Sequence, residues 1–407
     1  MNREISPSVA GTPSHSANVS QNQSTSLPDG KRRSSTLDVV RGLAIVAVVA
    51  VHSWEQSWAI LDSPVNESSL LFQFISLLRY GVELFFVLSG WLIFSLYYRK
   101  SNIRARAYWV RRLLRIWPLW IVFSIAAVAL LANTDFKFPM GIEPVGQQPS
   151  LLVGTILIVL FLGWLTPFTW ETTPGGWSIQ VEMGHYLLFW PLRKLAPIAI
   201  AATIMVGYVS YFVANALAIR SPEEFGTEFA RSWIRLGLYG TWPFFVMGGL
   251  IYLWSLDKFS WRTQYFGSSN RSRSVFFLIM GLIFITAIFI PIPFGKTYEA
   301  AFSVLFLYVV ALAARRTKNL TRIMSSLGKY SYFIYFAHFW VLAVVIKVAE
   351  SNQSVSVSTV GLLVASTVLF AACLVVSWSL AVFSWRFFES PILKLARKVP
   401  TKSLHST

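Results

Sequence analysis

The residues whose types could do chemistry lie inside or beside apolar runs. The segment LDVVRGLAIVAVVAVHSW, residues 37–54, carries Arg41 near its start and His52 near its end. On a helix, eleven residues turn through about 1100° and rise about 16 Å, so both side chains lie on nearly the same face. An imidazole there can take up a proton at neutral pH, and a guanidinium can hold an anion. Arg41 could instead snorkel to the headgroups, and His52 could be an interfacial histidine beside Trp54.

Two carboxylates are placed in the sequence so that they could interact with that imidazole. Glu83 lies near the start of the next apolar run, GVELFFVLSGWLIF, and would be level with His52 if the two helices are adjacent and antiparallel. Glu182 follows Ser178 by one helical turn, so both can face a common cavity. Either carboxylate could fix the tautomer of the imidazole and stabilise its protonated form. Glu83 could equally form a structural ion pair with Arg79.

The densest basic region is RARAYWVRRLLRIWPLW, residues 104–120. Arg112 and Arg115 are three residues apart and face the same way on a helix. Arginines at a membrane surface either fix the topology or grip phosphate through bidentate hydrogen bonds. The spacing alone favours neither interpretation.

The residues around two further histidines indicate a function less clearly. His185 lies three residues after Glu182 and could pair with it, but further ligands at helical spacing are missing, so we expect no metal site. His338 lies in LGKYSYFIYFAHFW, whose aromatic residues are more typical of packing than of a site.

These side chains need a membrane scaffold, because the chain is strongly apolar. Of its 407 residues, 55% are hydrophobic and 13% are charged, and the mean hydropathy is +0.56. Soluble domains carry about 25% charged residues. A single cysteine, Cys373, excludes intramolecular disulfides. The composition therefore excludes a soluble enzyme, a disulfide scaffold and a zinc–cysteine site.

Apolar segments long enough to cross a bilayer predict an all-α polytopic fold with about ten transmembrane helices. They lie near residues 37–55, 79–98, 117–133, 178–192, 197–217, 236–255, 275–291, 298–314, 330–349 and 358–385. One more apolar segment, 151–168, is ambiguous. Counting it as a crossing would turn the later basic loops outward, against the positive-inside bias. We therefore expect a re-entrant or interfacial segment there, with both termini in the cytoplasm.

Three regions follow from this pattern. Residues 1–35, rich in Ser, Asn, Gln and Pro, predict a disordered cytoplasmic tail, residues 36–391 a membrane domain, and residues 392–407 a basic cytoplasmic tail. The net charge of +17 is expected to anchor the protein against anionic membrane lipid, and no nucleic acid is needed to explain it. The sequence contains no internal repeat of fixed period.

Six segments together resemble the acyltransferase 3 family of integral membrane acyltransferases. They are LDVVRGLAIVAVVAVHSW, GVELFFVLSGWLIF, VRRLLRIWPLW, GGWSIQVEMGHYLLFWPL, YSYFIYFAHFW and FFESP, in the family's order, from about residue 36 to 391. The resemblance implies transfer of an acyl group, often acetyl, from cytoplasmic acyl-CoA to a hydroxyl of an extracytoplasmic or lipid-linked glycan of the O-antigen or exopolysaccharide type. It implies acyl-CoA as co-substrate, no bound cofactor, and a cell inner (plasma) membrane location.

The resemblance also implies roles for particular residues. His52 matches the family's essential histidine, with Glu83 and Glu182 as the carboxylates of a catalytic set. The residues that it assigns to substrate or acyl-CoA binding are Arg41, Arg112, Arg115, Trp177 and Ser178. Many members continue the W-S-x-x-V-E motif with a second glutamate. This sequence has Met183 there, so no role of a second carboxylate can be transferred.

Other functions remain compatible with the residues. A proton-coupled transporter or flippase of a glycan or lipid-linked intermediate could use Asp38, Arg41, Glu83 and His52 as a relay, although the absence of repeats counts against it. A structural partner in a glycan-assembly complex is a third interpretation. Within the acyltransferase interpretation, direct transfer and a transient acyl-histidine are both open.

Overall fold

The computed structural model describes residues 29–61, 70–99, 103–133, 151–163, 175–220, 237–255, 310, 316–350 and 357–398. Within these ranges the regular structure is entirely helical. The α-helices are α1 (Asp29–Ile60), α2 (Leu70–Ser76), α3 (Gly81–Arg99), α4 (Ala105–Asn133), α5 (Leu151–Val159), α6 (Gly176–Leu192), α7 (Pro197–Arg220), α8 (Leu238–Ser255), α9 (Lys318–Glu350), α10 (Thr359–Ser384) and α11 (Ser390–Lys398). A 3₁₀ turn, Leu77–Tyr80, leads into α3, and a π-helical turn, Trp385–Glu389, joins α10 to α11.

Five described stretches are long and apolar enough to cross a bilayer: Thr36–Ile60, Phe74–Tyr98, Ala105–Leu130, Lys318–Val348 and Thr359–Leu395. They confirm the expectation of a multi-pass helical membrane protein. Of the predicted spans, 275–291 lies outside the described residues, and so does 298–314 apart from residue 310. Helix α1 begins at Asp29, so its first residues belong to the segment 1–35 that the sequence analysis assigned to a tail. Extending an existing helix costs far less than nucleating one, which lets polar residues join it.

Two pairs of glycines bring the central helices into backbone contact. Helix α1 packs along α9. A Cβ atom built at Gly328 would overlap the carbonyl oxygen of Asp38, and one built at Gly42 would overlap the carbonyl oxygen of Met324. The pair α3 and α8 meets in the same way at Gly90 and Gly248. Small residues at such crossings are the usual solution in membranes, where helices gain little from the hydrophobic effect.

The segment predicted to be re-entrant or interfacial begins with a helix of nine residues. Nine helical residues extend about 14 Å, less than half of the hydrocarbon core. Two indole N–H groups of α4 donate to carbonyls at the end of this helix, Trp117 to Val159 (3.1 Å) and Trp120 to Ile158 (2.8 Å). The end of the helix is thus hydrogen-bonded to α4, and the Ile158 carbonyl also accepts from the backbone N–H of Phe161 at 2.9 Å.

The crossing of α1 and α9 gives a stability prediction. Gly328→Ala would place a methyl group on the carbonyl of Asp38, so the two backbones must separate. Overpacking of this kind costs about 1–3 kcal/mol. We expect a lower thermal midpoint for this variant in detergent, measured by size-exclusion chromatography after heating. Gly361→Ala is the control, because the nearest atom to its new Cβ is a Val357 side-chain carbon at 3.2 Å. Equal midpoints for the two variants would contradict this packing.

Candidate active site

His52 is held by a carboxylate on its own helix. Its Nδ1 lies 3.1 Å from Oε2 of Glu55, and the other carboxylate oxygen of Glu55 accepts a hydrogen bond from Arg79 Nη2 at 3.3 Å. Because an ionised carboxylate only accepts hydrogen bonds, this contact puts the proton of a neutral His52 on Nδ1. The Nε2 lone pair is then available as a base. The His52 side chain is 19% exposed, so the base can be reached.

The sequence analysis missed Glu55. It assigned the orienting role to Glu83 or Glu182, and the contact recorded for His52 Nδ1 is with neither of them. Arg79, considered as a partner for Glu83, forms an ion pair with Glu55. The sequence does indicate Glu55, because residues three apart on a helix are neighbours. A catalytic role for Glu83 stays a prediction.

A cavity of about 360 Å³ lies between α1, at Asp38 and Arg41, and α4, at Arg111–Leu119. Its charged lining residues are Asp38, Arg41, Arg111, Arg115, Lys329 and Glu389. Arg41 donates to Asp38 at 3.1 Å, and its side chain is 14% exposed. The π-helical turn supplies Trp385 and Phe388 to the same wall. Cationic groups outnumber carboxylates there, so the cavity suits an anionic ligand.

The two arginines matched to the R-x-x-R pair are placed differently. Arg115 lines the cavity. The Arg112 guanidinium instead lies over two aromatic rings, 4.7 Å from the Tyr108 centroid and 5.3 Å from the Tyr186 centroid. Arg111, one turn before Arg115, lines the cavity where Arg112 was expected. Which of three neighbouring arginines faced the cavity could not be read from their spacing.

A second, inner cavity of about 70 Å³ adjoins the first. The two cavities share Arg41, Arg115, Ser331 and Tyr332 as lining residues. The inner one is also lined by Glu182, whose Oε1 accepts hydrogen bonds from Ser89 Oγ at 2.6 Å and from Tyr186 Oη. Ser89 thus joins α3 to this polar cluster. The cluster lies between the cationic cavity and the deeper part of the bundle.

The start of α6 lines the inner cavity. Gly175 has φ +74°, a left-handed conformation that favours glycine, and so starts the helix. Ser178 Oγ, Tyr335 Oη and the Gly175 carbonyl lie within 3.1 Å of one another. Ser178 and Glu182 therefore do share a cavity, as their spacing predicted.

Trp177 and His185 lie on other faces of α6. The Trp177 ring packs 6.2 Å from that of Phe86, and its role in substrate binding stays a prediction. His185 is fully buried, and its Nε2 lies 3.0 Å from Thr241 Oγ1. Phe86 and Phe245 pack on the imidazole of His185. A packing role explains this histidine.

The polar side chains form one path through the bundle. It starts at Arg41 and Arg115, continues through the Glu182 cluster to Ser178 and Tyr335, and reaches His338, whose ring centroid is 5.9 Å from that of Tyr335. The His338 ring stacks on His52 with centroids 5.6 Å apart. An anion-binding cavity and a carboxylate-held imidazole are thus connected inside a membrane bundle.

Comparison with known proteins places this bundle in a family. The family model for the acyltransferase domain of the acyltransferase 3 family matches residues 35–382. The chain therefore belongs to this family, and its apolar helices make it a multi-pass membrane protein.

Curated relatives agree with this assignment. The chain is 25% identical over 385 residues to the O-acetyltransferase OatA of Staphylococcus aureus, with 88% of this chain and 57% of OatA covered. It is 29% identical over 170 residues to Nodulation protein 10 of Rhizobium leguminosarum, with 38% of this chain and 42% of that protein covered. The chain thus matches less than two thirds of either relative. No solved structure matches the chain.

The contact between Glu55 and His52 gives a test of the site. Glu55→Gln keeps a hydrogen-bond acceptor for Nδ1 but removes the charge that stabilises a protonated imidazole. We expect acyl transfer to fall about a hundredfold in kcat, within the range for general acid–base catalysis, with little change in KM for the acyl donor. The measurement is initial rate against donor concentration in membranes with matched protein amounts. Arg220→Gln at the exposed end of α7 is the control, and an unchanged kcat in Glu55→Gln would refute the role.

Proposed function

We propose that this protein is a membrane O-acyltransferase that moves an acetyl group from cytoplasmic acyl-CoA to a hydroxyl of an extracytoplasmic or lipid-linked glycan. The observation that carries the proposal is the connected path from the cationic cavity to His52. Membership of the acyltransferase 3 family supports the reaction class. One relative is named an O-acetyltransferase, which supports acetyl as the group and oxygen as its destination.

The donor would enter at the cationic cavity. Acyl-CoA carries its negative charge on phosphates at one end and a neutral pantetheine arm at the other. Arg111 and Arg115 can engage phosphate through bidentate hydrogen bonds, and Arg41 and Lys329 add positive charge to the same wall. The neutral arm can leave this cavity for the smaller one, where charge would be costly to bury.

The chemistry would take place at His52. The acceptor hydroxyl gives its proton to Nε2 while its oxygen attacks the thioester carbonyl carbon. The C–S bond then breaks, and the leaving thiolate of CoA takes the proton from His52. Glu55 stabilises the imidazolium between these two transfers through its contact with Nδ1. Binding of both substrates in one site supports direct transfer as the route, without an acyl-histidine intermediate.

The location follows from the same proposal. Acyl-CoA is a cytoplasmic metabolite, so the cationic cavity faces the cytoplasm and the protein lies in the cell inner (plasma) membrane. The basic residues near this face would contact anionic lipid headgroups. The acceptor glycan would approach His52 from the opposite side.

The test uses inverted membrane vesicles, which expose the cytoplasmic face, and acetyl-CoA labelled in its acetyl group. We expect wild-type vesicles from the native cells to incorporate label into a glycan or glycolipid fraction. His52→Ala should abolish incorporation, and His15→Ala in the N-terminal segment should not. Transfer that survives His52→Ala would refute the proposed base. If the vesicles consume no acetyl-CoA but move glycan across the membrane, the protein is a transporter.

The positions of the arginines give a separate prediction. Arg111→Gln and Arg115→Gln should each raise KM for acetyl-CoA about tenfold or more, because hydrogen bonds to charged groups contribute about 1.5–3 kcal/mol. Arg112→Gln should change KM less, since its guanidinium lies over Tyr108 and Tyr186. Exposed Arg316→Gln is the control. If Arg112→Gln raised this KM strongly and Arg111→Gln did not, then Arg112 would bind the donor, as the R-x-x-R match implies, and the assignment from the cavity lining would be wrong.

A further inference from the structure

A second imidazole lies beside the proposed base. His338 on α9 is fully buried, and its Nδ1 lies 3.0 Å from the carbonyl oxygen of Ile334. A carbonyl only accepts hydrogen bonds, so Nδ1 carries the proton and Nε2 presents a lone pair. Among the residues that the structure describes, Nε2 has no hydrogen-bond partner. A buried polar atom without a partner is costly, which points to a missing donor.

His338 continues the face of α9 that lines the inner cavity. Ser331, Tyr332 and Tyr335 supply that lining, and His338 follows Tyr335 by about one turn. Beyond it, the His338 ring stacks on His52 at 5.6 Å with an interplanar angle of 20°. A ligand that extends from the inner cavity towards His52 along α9 would therefore pass beside His338.

Phe339 covers the route at this point. Its ring centroid is 4.0 Å from that of His338 and 4.9 Å from that of His52. This one buried side chain thus packs against both imidazoles, so its rotamer sets the space beside them.

We infer that His338 Nε2 accepts a hydrogen bond from the acyl donor, from the pantetheine amide N–H nearest the sulfur. The inference rests on the proposed function. A thioester has no hydrogen-bond donor of its own, and the amide beside it is the first N–H along the arm. Held by this N–H, the thioester carbonyl lies next to His52. The acceptor hydroxyl is a less suitable partner, because it approaches from the opposite end of the path.

The experiment compares two labelled donors in the inverted vesicles. One is acetyl-CoA, and the other is the analogue in which an ester oxygen replaces the amide N–H nearest the sulfur. We expect the wild type to use acetyl-CoA with a kcat/KM about tenfold higher than the analogue, the effect of one hydrogen bond of about 1.4 kcal/mol. His338→Phe should remove the preference, because phenylalanine keeps a ring but has no acceptor.

Two further variants separate binding from packing. His338→Gln offers an oxygen acceptor at similar reach and should restore part of the preference. His185→Phe changes another buried histidine, away from the inner cavity, and should leave the preference at the wild-type value. A merely structural role for His338 would lower the rates with both donors equally and leave their ratio unchanged.

The outcomes distinguish this inference from the proposed function. If wild type transfers label from both donors and His338→Phe keeps the wild-type ratio, the assignment of Nε2 is wrong and the proposed function stands. A changed KM for the glycan with an unchanged donor ratio would assign Nε2 to the acceptor hydroxyl and overturn the inference. If wild type transfers label from neither donor, the proposed function and the inference fall together.

Discussion

The carboxylate of Glu55, shared between an imidazole and a guanidinium, is the interaction on which the site depends. It contacts His52 Nδ1 through one oxygen and Arg79 through the other. In a bundle built mostly from apolar side chains, an uncompensated charge is expensive, and a charge between two partners is not. The pair fixes the tautomer of His52 and ties α1 to the turn before α3.

Backbone contact between α1 and α9 positions His52 beside residues of α9. Because Gly42 and Gly328 leave no room for side chains at the crossing, the two helices approach closely and stay close over a long distance. His52 and His338 lie further along the same pair and stack there. The crossing thus sets the distance between two imidazoles that lie far apart in the sequence. Rigid helices keep such a constellation more accurately than loops would.

The sequence predicted a multi-pass helical membrane protein and the shared cavity of Ser178 and Glu182, because these depend on composition and on helical spacing. It did not predict which of Arg111 and Arg112 faces a cavity, since one residue turns a side chain by about 100° and the helix has no fixed rotation without its neighbours. His338 was interpreted as packing because its partner lies on another helix. Glu55 was overlooked although its spacing from His52 was local.

The charge of the side chains changes along the path, and this order bears on the mechanism. Arginine and lysine side chains lie at one end, hydroxyls and one hydrogen-bonded carboxylate in the middle, and two imidazoles beyond. A ligand with phosphates at one end and an uncharged arm matches this order, because each part meets surroundings that compensate its polarity. A fully ionic substrate would meet a costly barrier at the inner cavity. The arrangement therefore favours moving only the acyl-bearing arm towards His52 while the charged part of its carrier stays behind.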